Sequence, residues 1–202
     1  MLDGELPRDS GAPNVTRPVF LFGAGATLLG ALAWRHEESQ LAAIKAAADN
    51  RPPTVSVVGF SSAGTRLSLA QVPRIIKSDD EWRAQRGRGV YEIARQGDTE
   101  FAFSGDSWDL DDKGFFRCVC CQTALCSSAA KFNSGTGWAS FYEPIAAENI
   151  ETHEDRSYGI TRTEVSCRRC DAHLGHVFDD GPPPTGLRHC IKSASLKFFK
   201  FS

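Results

Sequence analysis

Two matched cysteine pairs, Cys118-x-x-Cys121 and Cys167-x-x-Cys170, constrain this chain more than any other feature. Two residues between cysteines let a tight turn aim both sulfurs the same way. Two such turns from separated segments supply the four thiolates that zinc takes in a tetrahedron. A redox dithiol or a pair of disulfides is the other use of this spacing, but matched pairs in separate segments favour the metal. With four protein ligands no position stays open for a substrate, so one zinc ion (Zn2+) per chain is expected to be structural. Apparent binding free energies at such sites run to about 10–16 kcal/mol, comparable with the stability of a whole domain, so the metal would decide whether the surrounding loops fold.

From "FFRCVCC" (Phe115 to Cys121) onward, short aromatic or β-branched runs alternate with Gly and Pro turns, which predicts a mainly antiparallel β fold. Upstream, "TVSVVGF" (Thr54 to Phe60) and "LSLAQVPRIIK" (Leu67 to Lys77) flank the turn "SSAG" and should pair. "SDDE" (Ser78 to Glu81) fits a capping box and should start a short helix carrying Trp82, and "GVYEIARQ" (Gly89 to Gln96) offers a second.

The N-terminal part has a different character. Polar "MLDGELPRDSGAPNV" precedes "PVFLFGAGATLLGALAW" (Pro18 to Trp34), a run without charge that is short for a membrane span. It ends in the cleavage-like Ala31-Leu32-Ala33, and "TRPVFL" resembles a degraded twin-arginine signal. Residues 1–37 are therefore expected to be a targeting or membrane-anchor segment, making the protein exported, periplasmic or anchored; a buried helix in a cytoplasmic protein is the alternative. Residues 38–77 read as a linker with lead-in strands, and 78–199 as the catalytic domain. A formal charge of −2, from 23 Lys and Arg against 25 Asp and Glu, leaves no basic footprint for phosphate backbones, so no nucleic-acid partner is expected.

Cys190 stands outside both pairs, beside Arg188 and His189 in "TGLRHCIKSASLKFF". A thiol of ordinary pKa near 8.5 is only a few per cent thiolate at neutral pH, and cationic neighbours would favour the nucleophilic form. A small buried hydrophobe is the other use of a lone cysteine. His173 and His176, three residues apart, read as proton donors, although a further metal pair or core histidines would account for them in isolation.

The motifs "DEWR", "GDTEFAFSG", "GFFRCVCC", "KFNSGTGW", "RTEVSCRRC", "HLGHVFDDGP" and "TGLRHCI" occur in order between about Ser78 and Phe199. Together they resemble the B-type methionine sulfoxide reductases, which act on the R epimer of methionine sulfoxide. The resemblance implies two antiparallel sheets in a β-tent-like reductase fold, with short N-terminal helices and a structural zinc site. It implies Cys190 as nucleophile, His173 and His176 at the sulfoxide oxygen, Arg188 supporting the thiolate and Asp180 orienting the site. It gives Trp138 the substrate methyl, with Phe178 and His189 shaping the pocket wall. Substrates would be oxidised proteins or free methionine sulfoxide, and the partner a thioredoxin-type reductant serving a monomer. A zinc-ribbon binding module or a zinc chaperone would need the four cysteines but not Cys190, His173, His176 or Trp138.

The chain departs from the family at four positions. Thr136 stands where many members carry a resolving cysteine, Ala139 replaces a usual Pro, Cys126 a usual aromatic, and Lys192 a common Asn two residues past the nucleophile. External reduction of the Cys190 sulfenic acid is expected, with Cys126 as the possible internal resolver.

Overall fold

A computed structural model describes residues 52–202. The expected targeting segment, the first part of the linker (residues 38–51) and the export they imply lie outside the described residues. Among the described residues no helix is long and apolar enough to cross a membrane.

The first elements are an antiparallel hairpin of β1 (Thr54–Phe60) and β2 (Arg66–Pro73). β2 stops at Pro73 rather than running to Lys77, because the ring leaves no N–H for the ladder and Ile75 N–H turns away to the Arg169 carbonyl, 2.8 Å off. Val55, Val57 and Val58 are buried. The hairpin is fastened by the buried Asn149 amide, which accepts from Val58 N–H at 2.7 Å and donates to the carbonyls of Val58 and Ala124 at 2.9 and 2.8 Å.

Helix α1 (Asp79–Arg86) begins at the expected capping box, with the Ser78 hydroxyl on Glu81 N–H and the Glu81 carboxylate on Ser78 N–H. α2 (Arg88–Gln96) follows after Gly87 and ends at Gly97, whose φ of 73° closes it in the left-handed conformation. Trp82, Tyr91 and Ala94 bury the inner faces of the pair.

The remaining strands form two antiparallel sheets. β3 (Gly114–Cys118) lies between β4 (Ala124–Ser127) and β11 (Leu196–Lys200). The larger sheet contains β5 (Lys131–Phe132), β6 (Ala139–Phe141), β7 (Ile150–Asp155), β8 (Arg162–Cys167), β9 (His173–Phe178) and β10 (Arg188–Ile191). Its order is β5-β6-β10-β9-β8-β7. The sheets meet over Phe116 of β3 and Phe141 of β6, whose rings cross at 68° with centroids 5.1 Å apart. The fold is thus mainly β with two short helices, as the sequence predicts, and the lead-in hairpin adds a small third sheet.

Candidate active site and metal centre

The two cysteine pairs sit on matching turns. Gln122 and Asp171, each one residue past a pair, adopt left-handed φ of 66° and 55°, and their N–H groups return to the carbonyls of Cys118 and Cys167 at 2.9 and 2.8 Å. This geometry aims both sulfurs of each turn inward. The four sulfurs lie within 4.8 Å of one another, with Cys118 to Cys170 at 3.7 Å and Cys121 to Cys167 at 3.5 Å. The edge of a tetrahedron of sulfurs about 2.3 Å from zinc is about 3.8 Å, so the four buried thiols are compatible with that ion. Arg86 and Arg95, from α1 and α2, hold the turns from outside by donating to the carbonyls of Cys120 and Cys170 at 2.8 and 2.6 Å.

Cys190 lies on β10, and strand alternation decides what it meets. In register it faces Ser140 of β6 on one side and His176 of β9 on the other. Arg188, two residues earlier, shares this face; its guanidinium covers the Phe178 ring at 4.3 Å and takes both oxygens of Asp180 at 2.8 and 2.9 Å. His189 pairs with Phe141 and Val177 and points to the other face. It therefore packs behind the strand, where burial holds its pKa below the ordinary value, instead of lining the pocket with Cys190.

His173 and His176 differ by an odd number and would sit on opposite faces of a regular strand. A bulge on β9 prevents this. The ladder with β8 pairs Val165 with Gly175 but Ser166 with His173, leaving Leu174 as the extra residue, and both rings come to one side with centroids 5.5 Å apart. Gly175 is required at this point. Its φ is +150°, and a Cβ there would stand 2.0 Å from the carbonyl oxygen of Cys190.

Each histidine is held by a carboxylate that the sequence did not single out. His173 Nδ1 lies 2.6 Å from Glu164 and His176 Nε2 lies 2.7 Å from Asp155, to which Arg162 donates at 2.7 Å. An ionised carboxylate only accepts, so these ring nitrogens carry the protons. Hydrogen bonding from His173 lowers the Glu164 pKa, and bonds from Ser157 followed by His176 lower that of Asp155. Burial lowers the His176 pKa, with Asp155 opposing. Once Nδ1 is fixed on Glu164, His173 Nε2 is a buried nitrogen with no hydrogen-bond partner among the described residues. No sequence spacing marks Glu164 or Asp155 as partners; only the cross-strand register does.

The third wall is the loop before β6. The Trp138 indole N–H donates to the Glu100 carbonyl at 3.2 Å, and the Lys192 ammonium stands 4.5 Å over its ring. Thr136 reaches the Cys190 sulfur with its hydroxyl and shares a 2.8 Å hydrogen bond with Ser134, which holds Ser140 at the same distance. Burial nevertheless raises the Cys190 pKa; Lys192, Arg188 and Thr136 oppose that effect without overcoming it. The cationic help expected from the sequence comes from Arg188 and Lys192, not from His189. Cys126, opposite Phe116, is buried in the core with its pKa pushed up by desolvation, and Cys120 is enclosed in the first metal turn.

The arrangement can therefore place a nucleophilic sulfur, a proton-bearing imidazole and an aromatic face around one small polar group. A family model described as SelR domain matches residues 88–200. Among curated proteins, the peptide methionine sulfoxide reductase MsrB of Herminiimonas arsenicoxydans is 54% identical over 125 residues, covering 62% of this chain and 91% of that protein. The protein of the same name from Thiobacillus denitrificans is 53% identical over 122 residues, covering 60% and 92%. That of Acinetobacter baylyi is 51% identical over 124 residues, covering 61% and 89%.

Proposed function

The chain belongs to the SelR domain family and reduces methionine sulfoxide, and we propose that it acts on the R epimer by attack of Cys190 on the sulfoxide sulfur. The observation that carries this reading is the cross-strand placement of Cys190 opposite His176, with the unpartnered Nε2 of His173 on the same face.

The Cys190 thiolate attacks the substrate sulfur while the sulfoxide oxygen takes a proton from Nε2 of a doubly protonated His173, whose Nδ1–H stays on Glu164, with His176 and Asp155 completing the polar wall. The attack forms an S–S bond as the oxygen, protonated twice, departs as water. Water then adds to the Cys190 sulfur, the S–S bond breaks, methionine leaves with its sulfur reduced by two electrons, and a proton is released with Cys190 left as a sulfenic acid. Trp138 offers the electron-rich ring face that suits the electron-poor methyl of a sulfoxide. Arg188, aligned by Asp180, supplies fixed positive charge beside the sulfur.

A thioredoxin-type dithiol then attacks the sulfenic sulfur, water leaves, and its second thiol releases Cys190 from the mixed disulfide. Three placements support an external reductant: Thr136 occupies the position beside the sulfur, Cys126 is enclosed in the core, and Cys120 is held between metal ligands. One structural zinc bound by Cys118, Cys121, Cys167 and Cys170 fixes the two turns, and it takes no part in the chemistry. The monomer acts on oxidised proteins or free methionine sulfoxide.

The test is reduction of racemic methionine sulfoxide with dithiothreitol, followed by chiral chromatography of what remains. Loss of the R epimer alone is expected; consumption of the S epimer would overturn the assignment.

A further inference from the structure

Lys192 follows Cys190 by two residues in extended backbone, so the two side chains share a face. The residue is 7% exposed, and its ammonium makes no hydrogen bond or ion pair among the described residues, only the contact with the Trp138 ring. A buried cation without an anion is costly, and such groups are normally matched by a carboxylate.

Among the neighbouring groups, one is free to pair with it directly. Glu100, which faces Lys192, commits its two oxygens to the N–H groups of Ser193 and Ala194 at 2.5 and 3.0 Å. Arg188 is matched by Asp180 and Arg162 by Asp155, while His173 and His176 bond to Glu164 and Asp155. Thr136 brings a neutral hydroxyl. Glu100 still attracts the ammonium, but the larger attraction comes from the sulfur of Cys190, and it opposes burial at both groups.

We propose that Lys192 is the counter-ion of the Cys190 thiolate: it rests on the Trp138 ring while the sulfur is protonated and pairs with the sulfur once it ionises. Ionisation then uncovers the aromatic face. The ammonium that leaves Trp138 for the sulfur clears the surface the substrate methyl requires, so activation of the nucleophile and opening of its methyl site are one event. This rests on Cys190 being the nucleophile proposed above.

The experiment measures alkylation of Cys190 by iodoacetamide in the reduced, zinc-loaded full chain from about pH 5 to about pH 10, reading the Cys190 peptide by mass spectrometry. A unit charge about 4 Å from a thiolate, at an effective dielectric constant of about 20, moves its titration by up to about three pH units. Lys192→Met and Lys192→Asn should both raise the midpoint by about one unit or more and slow neutral-pH alkylation about tenfold, whereas Lys192→Arg should keep the parent midpoint. A midpoint within about 0.3 unit of the parent in both neutral variants, each shown folded by zinc content and thermal melting, overturns the counter-ion role. Since alkylation needs no turnover, that outcome is distinct from failure of the nucleophile itself, which full activity in Cys190→Ser would reveal.

Discussion

Cys190 and His176 occupy directly opposed positions on neighbouring antiparallel strands, so the proposed nucleophile and one arm of the polar wall are set by the backbone ladder and not by a loop. Cys190→Ser alters neither the ladder nor the metal turns. It should retain zinc and melting temperature while losing turnover by about a thousandfold or more, since a hydroxyl is far less ionised at neutral pH. Residual activity above about a tenth of the parent would rule out the nucleophile role.

Glu164→Gln keeps the shape of the group bonded to His173 Nδ1 but removes its charge. With substrate saturating, kcat should fall about ten- to a hundredfold, with KM changed far less, if the carboxylate acts on the imidazole proposed to deliver the proton. An equal rise in KM with kcat preserved would assign Glu164 to substrate binding instead.

Gly175→Ala places a methyl 2.0 Å from the Cys190 carbonyl oxygen at a φ of +150°. Backbone strain of this kind costs on the order of 1–3 kcal/mol, and relieving the collision displaces the strand that carries Cys190. Urea denaturation should show the loss of stability, and activity should fall further than stability alone explains. A variant as stable and active as the parent would contradict the described bulge.

Acid should weaken the fold from just below neutrality. His176 and His189 have folded pKa values lowered by burial, so the unfolded chain binds protons first as pH falls through about 6.5. Glu164, Asp155 and Asp180 are also lowered, by hydrogen bonds from His173, Ser157 and Arg188 respectively, and extend the loss below about pH 4. Both sets act with the same sign: stability is complete above the unfolded values and declines as pH drops through the folded ones. Thermal melting against pH should show a plateau above about pH 7, and replacing His189 by Gln should reduce the fall between about pH 7 and pH 5.

One equivalent of methionine R-sulfoxide, added to reduced enzyme without reductant, should consume a single thiol and leave Cys190 trappable as sulfenic acid. Loss of two thiols with a bridge from Cys126 to Cys190 would replace the external reductant by an internal one.

Much of this was legible before any coordinates. The knuckle spacing identified four sulfurs that do converge, and the capping box placed α1 to the residue, because both signals are local. The carboxylates were not legible, since Glu164 and Asp155 reach the histidines only through a register that the Leu174 bulge shifts. His189 was set beside Cys190 by adjacency in the chain, whereas adjacency in a strand sends neighbours to opposite faces. Lys192 could be noticed as a substitution, but its burial against Trp138 follows from how β10 meets the loop before β6.

The second cysteine turn is also the turn of the β8–β9 hairpin, whose arms carry Glu164 on one side and His173 and His176 on the other. A metal held by the four cysteines would thereby brace the same bend that positions these side chains. With zinc as the metal and the proposed acid role for the histidines, loss of the ion, or oxidation of its thiolates, would take away the pivot of the arm that carries them.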